Sequence, residues 1–363
     1  MEILKLISKK ILFLNPTWEQ KALVNEIQRL GIEIFGLGKV APEYSNSFKR
    51  YISCDLNALD TIFDVCKINN INAIISDNCD YSLLNSELAS NLLNLPNLGL
   101  EAARTSNNKI MQRKLALRSK INQPIFKEVN NFFDAKEFMS KLKKSILIKP
   151  TDSRGSIGIT YIDENSDQII RKAISFALAN SPSKKCIVEE YIEGQLITID
   201  GFLVDGNLLP VAIAERDRTS KGLTVTNSIR YYSDLSNWKK EKYFSFLKDV
   251  SKSLGYLNGH IHCEAIVDID KKIWLVECTN RGAGVFTSSI INPYVSNYPL
   301  NNFLIKLKFG EKPLLPIIKY VNFKQNDASL IFPSLGNTGQ ILYSCNKNKI
   351  YDHPKVLAFQ LFS

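Results

Sequence analysis

Apolar and polar residues in the first hundred positions follow strand-like and helix-like patterns in turn. The strand-like runs lie at 11–14, 32–37 and 73–76, and the helix-like stretches at 18–30, 56–68 and 83–93. Strands that alternate with helices are typical of a parallel sheet with helices on its faces. We therefore predict an α/β domain at this end of the chain, with loop residues Asp77, Asn78 and Asp80 at the carboxyl end of a strand.

A different pattern, of period two, appears at 257–285. Apolar and polar residues alternate over 261–267, a polar turn follows at 268–272, and an apolar run occupies 273–276. This pattern predicts a β-hairpin. Glu264 and Glu277 lie on its two arms at about equal distance from the turn.

The two glutamates of this hairpin are candidate metal ligands. Directly opposed residues of antiparallel strands have Cβ atoms roughly 5 Å apart, so two carboxylates there would repel without a cation between them. Mg²⁺ takes oxygen ligands and is usually held by one or two carboxylates together with substrate phosphates. The hairpin therefore suggests a Mg²⁺–nucleotide site, and the alternative is that both glutamates face solvent.

Residues 145–162 predict a strand, a glycine-containing loop and a second strand. Lys149 ends the first strand, and Gly155 and Gly158 lie in the loop. Successive backbone N–H groups in such a loop can hold phosphate, with Lys149 as a nearby positive charge. Ordinary β-turns use the same residues, so this pattern alone leaves both interpretations open.

A helix is predicted at 107–119, with Ser106 as its N-cap. Lys109 lies in the first turn, where the helix dipole disfavours a cation, which suggests an anionic partner. Further along, strands are predicted near 186–202 and at 208–214, and helices at 233–254 and 302–308. The segment 311–363 reads as short β segments.

Composition narrows the class of protein. A chain of 363 residues with 45% hydrophobic and 23% charged residues is typical of a globular protein of more than one domain. The net charge of +10 is spread along the chain, so a nucleic-acid partner is not indicated. Seven cysteines without metal-ligand spacing indicate reduced thiols. With no secretory signal and no membrane-length apolar run, we expect a cytoplasmic protein without a membrane partner.

Taken in order, these stretches resemble the ATP-grasp superfamily, and among its members the carboxylate–amine ligases related to carbamoyl-phosphate synthetase, biotin carboxylase and D-alanine–D-alanine ligase. The resemblance implies an α/β fold with an α+β lid. It implies a parallel-sheet pre-grasp domain at 1–106 and an ATP-grasp domain at 107–310 with two antiparallel-sheet subdomains. The lid would cover about 120–190 and the core about 191–310, and 311–363 would form a small β-rich extension.

The same resemblance implies roles for individual residues. Lys109 and Lys149 match the two lysines that bind the ATP phosphates, and Arg281 matches an arginine near the transferred phosphate or the substrate carboxylate. Lys149 and Arg281 are therefore the expected catalytic residues. The remaining matches are the lid loop (Ser153, Arg154, Gly155, Ser156, Gly158), the adenine-binding hinge (Glu189, Glu190, Tyr191, Ile192) and the metal ligands (Glu264, Glu277, Asn280).

Two positions depart from the family pattern. Leu196 stands where an acidic residue usually binds the ribose hydroxyls. Thr279 stands where the family usually has a metal-binding asparagine, and Asn280 follows one place later. Either a one-residue backbone shift brings Asn280 to the metal, or Thr279 offers its hydroxyl.

The resemblance implies an ATP-dependent ligase that activates a carboxylate as an acyl phosphate and joins it to an amine. Its cofactors would be ATP and Mg²⁺, with Mn²⁺ as a substitute, and its partners a small-molecule carboxylate and amine. By analogy the chain could also form a homodimer. Arg216, Arg218, Lys221 and Arg230 are candidates for holding substrate anions, or else form a solvated basic loop.

Three alternatives remain open at this stage. A bicarbonate-using carboxylase would share the ATP chemistry, and a nucleotide-binding homologue would bind ATP without turnover. A transition-metal enzyme is the third, because His260, His262 and Glu264 would share one face of a strand and imidazoles favour zinc, iron or copper.

Overall fold

Three β-sheets organise the part of the chain described by the computed structural model, which is residues 9–153, 155–164, 166–218, 226–332 and 353–358. The strands are β1 (Lys10–Leu14), β2 (Glu33–Gly38), β3 (Arg50–Ser53), β4 (Ala73–Ile75), β5 (Phe126–Val129), β6 (Ile146–Pro150), β7 (Thr160–Ile162), β8 (Cys186–Glu190), β9 (Gln195–Val204), β10 (Asn207–Arg218), β11 (Thr226–Tyr231), β12 (Gly259–Val267), β13 (Ile273–Thr279) and β14 (Ala328–Ile331). The α-helices are α1 (Lys21–Arg29), α2 (Leu59–Asn69), α3 (Asp80–Leu92), α4 (Leu100–Ser106), α5 (Lys109–Arg118), α6 (Phe132–Leu142), α7 (Asp167–Ala179), α8 (Asn237–Leu254), α9 (Asn292–Ser296) and α10 (Leu300–Lys308).

The N-terminal sheet is parallel throughout, in the order β3-β2-β1-β4. Its central strand β1 is buried on both faces: Ile11 and Phe13 belong to one hydrophobic core, and Leu12 and Leu14 to the other. Burial on both faces explains why the strand reads as a continuous apolar run. The predicted α/β arrangement is confirmed, although the sequence analysis missed the short helix α4 and the edge strand β3, whose residues are partly exposed.

The second sheet is antiparallel, in the order β5-β8-β6-β7. Helices α6 and α7 cover it, and their apolar residues form one core with those of β6 and β8. The sheet holds Lys149 at the end of β6 and Glu189 on β8. It therefore forms one wall of the cleft described below.

The third sheet has six antiparallel strands, in the order β13-β12-β9-β10-β11-β14. Helix α8 packs on one face, and the other face is open to the cleft at its centre. The predicted hairpin is confirmed as β12 and β13. Strand β14 comes from the segment predicted to be β-rich and extends this sheet, whereas 333–352 and 359–363 lie outside the described residues.

A fully buried ion pair connects helix α3 to the end of helix α10. Lys308, the last residue of α10, contacts the carboxylate of Glu87 on α3, and the two side chains are 0% and 1% exposed. The second oxygen of Glu87 accepts a hydrogen bond from the backbone N–H of Leu98 at 2.6 Å. Glu87 is therefore fully partnered, as a buried carboxylate requires.

The N-terminus of α5 differs from the prediction. Asn108 is the N-cap, and its side-chain oxygen accepts a hydrogen bond from the Met111 N–H at 3.0 Å. Ser106 instead ends α4, and its hydroxyl accepts a hydrogen bond from the Asn280 N–H at 2.8 Å. Lys109 consequently sits at the first helical position.

Within the described residues, no helix is both long and apolar enough to span a bilayer.

Candidate active site

A single cleft of about 610 Å³ lies between the second and third sheets and the loops of the N-terminal sheet. Cross-strand registers arrange the side chains at its floor and margin in three rows across β9, β12 and β13. The rows are Leu196, Ile266 and Trp274; Thr198, Glu264 and Glu277; and Asp200, His262 and Thr279. The first row is apolar, and the second and third are polar or charged. The floor therefore changes from apolar to charged across three successive rows.

Glu264 and Glu277 are directly opposed on β12 and β13, as predicted. The register shifts by one residue next to Glu264, which leaves Val276 as the extra residue of a β-bulge. Bulges near active sites re-aim side chains, and here both glutamates line the cleft. Both carboxylates contact basic side chains: Glu277 contacts Lys109 at 3.0 Å, and Glu264 contacts Arg216 and lies 3.8 Å from His262 Nε2.

Lys109 has the anionic partner that its position predicted. Its Nζ donates hydrogen bonds to Glu277 Oε1 and to the Ser153 carbonyl, each at 3.0 Å. Burial disfavours the ammonium, but the charge and hydrogen bond of Glu277 outweigh it and raise the pKa of Lys109. Lys109 thus stays cationic between the hairpin and the lid loop.

Lys149 belongs to a second, fully buried charge cluster. Its Nζ donates to Glu189 Oε2 at 2.7 Å, and Arg113 Nε donates to Glu189 Oε1 at 2.7 Å. Burial alone would raise the pKa of Glu189, but the two cations lower it to about 2. Both oxygens of Glu189 are therefore engaged by cations, so the carboxylate that was expected at the adenine instead orients Lys149.

The lid loop lies over the charged part of the floor. Ser153, Gly155 and Ser156 line the cleft, whereas Arg154 lies outside the described residues. Gly158 has φ +81°, and a Cβ there would lie 2.6 Å from Pro150 Cγ, so the turn into β7 requires glycine. The loop backbone passes close enough to Lys109 for the Ser153 carbonyl to accept a hydrogen bond from its Nζ.

The hinge residues line the apolar end of the cleft. Ile192, Leu196 and Ile266 form a small buried cluster with Trp274 and Val276 packed against it. The backbone at 190–192 borders this cluster, and Glu190, Tyr191 and Ile192 all line the cleft. The Glu190 carboxylate itself contacts Lys144. This end of the cleft suits a flat apolar group with hydrogen-bonding edges, such as a purine base.

The third row shows which of the two candidate metal-binding residues after Glu277 faces the cleft. Thr279 faces the cleft, and its buried hydroxyl has no hydrogen-bond partner among the described residues. Strand alternation turns Asn280 away, and its side-chain amide donates to the Asn258 and His260 carbonyls at 2.9 and 2.8 Å. The expectation of Asn280 as a metal ligand is therefore corrected: Thr279 occupies the position beside the carboxylates.

The two histidines of the hairpin have different surroundings. His262 lines the cleft, and its Nδ1 lies 2.7 Å from Asp200 Oδ1. His260 is 3% exposed and packs edge-on against Phe202, with ring centroids 5.0 Å apart. The part of the chain that the structure describes contains no cluster of three or more His, Cys, Asp or Glu side chains that could hold a metal ion. The three-ligand transition-metal site is therefore not formed.

Arg281 lies where the loop after β13 meets the N-terminal sheet. Its Nε and Nη2 donate to the two oxygens of Asp80 at 2.5 and 2.8 Å, and its Nη1 donates to the Gly282 carbonyl. Asp77 accepts the Gly282 N–H at 2.7 Å. Both aspartates follow β4, which pairs with β1 at the point where the strand order reverses, a usual place for ligand binding in parallel sheets.

Other predicted anion-binding residues are placed apart. Arg216 and Arg218 line the cleft, whereas Arg230 contacts Asp217 at 3.1 Å beside a separate surface groove. Lys221 lies outside the described residues. Sequence reasoning missed Arg113, the Asp80–Arg281 pair and the Asp200–His262 pair, since each joins residues far apart in sequence and carries no local pattern.

The stability of the protein at acidic pH tests whether Glu189 forms the buried ion pairs with Arg113 and Lys149. Because the folded-state pKa of Glu189 is about 2 against an ordinary 4.5, its contribution is present above pH 4.5 and is lost as the pH falls towards 2. We expect this contribution to be about 3 kcal/mol. In Glu189→Gln, denaturant unfolding should show lower stability at pH 6 and a smaller loss between pH 4.5 and 2 than in the unmodified protein.

Glu137→Gln provides the matched control for that measurement. Glu137 also has a pKa lowered to about 2, by Lys141 and Lys127, but it lies on the surface. Solvent screening should leave its substitution with little effect at any pH. Equal effects of the two substitutions would contradict the buried cluster.

Comparison with known proteins finds similar sequences for part of the chain. Residues 142–289 match the family model described as an ATP-grasp domain. Alanine–anticapsin ligase of Bacillus subtilis is 25% identical over 248 residues, which cover 62% of this chain and 52% of that protein. The chain spans about half the length of the first curated relatives that it matches.

Solved structures share the fold over most of the chain. The L-amino acid ligase from Bacillus licheniformis has a TM-score of 0.74 at 17% identity, covering 89% of this chain and 79% of that chain. The biotin carboxylase domain dimer of the Hydrogenobacter thermophilus 2-oxoglutarate carboxylase, solved with MgADP, ADP and bicarbonate, has a TM-score of 0.72 at 15% identity, covering 88% and 73%. The structural likeness therefore covers more of the chain than residues 142–289.

Proposed function

Because residues 142–289 match an ATP-grasp domain, we propose that this chain is an ATP-dependent ligase that joins the carboxylate of one small molecule to the amine of another. The curated relative that joins alanine to anticapsin, and the fold shared with an L-amino acid ligase, support an amino acid as one of the two substrates. We also propose the domain division given above, with 1–106 before the ATP-grasp domain at 107–310 and an extension at 311–363.

One observation carries this proposal: a single cleft joins an apolar pocket, a pair of opposed carboxylates and two buried lysines in that order. The apolar pocket of Ile192, Leu196 and Ile266 suits the adenine base. Lys109 and Lys149 supply positive charge where the phosphates would follow. A nucleoside triphosphate requires this succession of environments.

The carboxylate pair fits a hard divalent cation. Glu264 and Glu277 offer oxygen ligands on adjacent strands, and the unpartnered Thr279 hydroxyl and Asp200 Oδ2 lie in the neighbouring row. Bound there, Mg²⁺ would neutralise charge on the phosphate oxygens of ATP. Mn²⁺ has the same preference for oxygen ligands and is proposed as a substitute.

In the first step, an oxygen of the substrate carboxylate attacks the γ-phosphorus of ATP, the bond from that phosphorus to the bridging oxygen breaks, and ADP leaves. Lys109 and Lys149 would stabilise the negative charge of the transferred group. Glu189 and Arg113 hold Lys149 in position. Catalysis of this kind depends on positioning and electrostatics, with little covalent work for the protein.

In the second step, the amine nitrogen attacks the acyl carbon, the carbon–oxygen bond to phosphate breaks, and the nitrogen loses a proton to solvent. Arg281 would face the reacting carboxylate from the N-terminal side, and its bidentate pair with Asp80 fixes its orientation. The lid loop at 153–158 would exclude water, which otherwise hydrolyses the acyl phosphate.

The test is ADP release by the whole chain with Mg²⁺ and pooled amino acids and small carboxylates, alone and in pairs. We expect release with particular pairs only, and a product whose mass equals that of the two substrates minus water. Release driven by bicarbonate with a single acceptor would replace the proposal with a carboxylase. ATP binding by calorimetry without turnover in any pool would indicate a nucleotide-binding homologue.

Leu196 leads to a prediction about nucleotide choice. It is 8% exposed in the apolar cluster and offers no acceptor to the sugar hydroxyls. A hydrogen bond to a charged acceptor would contribute about 1.5–3 kcal/mol, so its absence should leave ATP and dATP nearly equivalent. We expect their kcat/KM values to agree within about threefold, and Leu196→Glu to shift the ratio towards ATP. A preference of about 100-fold for ATP in the unmodified chain would contradict this prediction.

A further inference from the structure

We propose that Arg216 is an exchangeable counter-ion, which neutralises Glu264 in the nucleotide-free cleft and moves onto the transferred phosphoryl group when a divalent cation takes Glu264. The inference rests on the proposed function, because it assigns a further catalytic cation to the same reaction, in addition to Lys109, Lys149 and Arg281. It is based on the position of Arg216 on β10 and on the hydrogen bonds that its guanidinium makes and leaves unmade.

Arg216 lies at the boundary between the apolar and charged parts of the floor. It is paired across the sheet with Leu196 on one side and Ile229 on the other. From that first-row position its side chain reaches diagonally to Glu264 in the second row. Its main-chain carbonyl accepts a hydrogen bond from Gln195 Nε2 at 3.0 Å, so the backbone is held and only the side chain has to move.

At least one N–H donor of the guanidinium has no acceptor among the described residues. Its Nη1 contacts Glu264, whereas its Nε is buried and has no hydrogen-bond partner among the described residues. A buried unpaired donor on a charged group is costly, so a second acceptor at this point would stabilise the arginine. A planar guanidinium matches the paired oxygens of a phosphate.

The contact with Glu264 excludes simultaneous metal binding at the same oxygen. Arg216 Nη1 contacts Glu264 Oε1, and His262 Nε2 lies 3.8 Å from that same atom. A divalent cation at Glu264 would repel the guanidinium, and the phosphates that arrive with the metal would attract it. Cation and arginine therefore compete for Glu264 and cooperate on the nucleotide.

Neighbouring arginines lack this combination of contacts. Arg218, two residues further along β10, forms a hydrogen bond with Tyr191 at the hinge. Arg230 contacts Asp217 at 3.1 Å, and its side chain is 52% exposed. Arg230→Met therefore serves as a matched control that removes an arginine from the same sheet without touching the carboxylate pair.

The experiment measures two quantities for Arg216→Met: Mn²⁺ affinity of the nucleotide-free protein, by electron paramagnetic resonance, and kcat for ADP release. Removing a competitor should tighten Mn²⁺ binding about fivefold or more. Removing a cation from the transferred group should lower kcat about 100-fold. Arg216→Lys should recover part of kcat, and Arg230→Met should change neither quantity.

The two readouts move in opposite directions, which a merely structural role would not produce. Unchanged or weaker Mn²⁺ binding in Arg216→Met would overturn the exchange, and Arg216→Gln repeats the measurement if the methionine variant does not fold. Tighter Mn²⁺ binding with unchanged kcat would overturn the phosphoryl contact. If the unmodified chain shows no ADP release, the proposed ligase function fails, while the Mn²⁺ titration still decides whether Arg216 competes for Glu264.

Discussion

Glu277→Gln is expected to lower the rate of ADP release by about 1000-fold or more. The substitution keeps the shape of the side chain and removes one of the two opposed carboxylates. A neutral amide is a poor ligand for a hard divalent cation, so the charge of the nucleotide phosphates would lose its main compensation. The measurement is a coupled assay of ADP release under saturating Mg²⁺ and substrates.

Two controls make that result specific. Glu311→Gln removes a partly exposed carboxylate paired with Lys9 at 2.7 Å, far from the cleft, and should leave the rate unchanged. Glu277→Gln also frees Lys109 from its ion pair, so chemical denaturation must show that the variant is folded. A folded Glu277→Gln variant with a rate within tenfold of the unmodified chain would contradict the proposed metal site.

Glu87→Gln is expected to destabilise the protein by about 3–5 kcal/mol, because Lys308 would remain as a buried and uncompensated cation. Both side chains are almost fully excluded from water. Urea unfolding followed by circular dichroism gives the free energy of unfolding. Lys308→Met should have an effect of similar size, since it leaves the carboxylate without its cation.

The double variant Glu87→Leu with Lys308→Met distinguishes the ion pair from packing. Replacing both partners of a buried pair by apolar residues is often nearly neutral, so we expect much of the stability to return. Lys9→Met is the surface control, because its pair with Glu311 is partly exposed to solvent and should contribute less than about 1 kcal/mol. Equal losses in the Lys9 and Lys308 variants would contradict the role of burial.

Periodicity made much of the fold predictable. Strand β1 reads as a continuous apolar run because both of its faces are buried. Strand β12 reads as an alternation because one of its faces is buried in the core and the other faces the cleft. The pairing of Glu264 with Glu277 followed from their distances to the turn, and the bulge at Val276 absorbed the one-residue difference. Strand β3 was missed because an exposed edge strand has no apolar pattern.

The partners of the charged residues could not be predicted in the same way. Glu189 and Arg113 are 76 positions apart, and Asp80 and Arg281 are 201 apart, so only the folded chain brings them together. The sequence also could not predict which of the side chains after Glu277 faces the cleft. Thr279 instead of Asn280 faces the cleft because the register of β13 continues without a second bulge.

The Glu87–Lys308 pair also bears on the order in which the chain can mature. Its two partners are 221 positions apart, so during synthesis the N-terminal sheet and its helices emerge from the ribosome long before Lys308 does. Until then Glu87 lacks the cation that compensates its burial in the folded protein. Complete burial of Glu87 therefore requires α10, so the N-terminal region and this late helix depend on each other for their final packing.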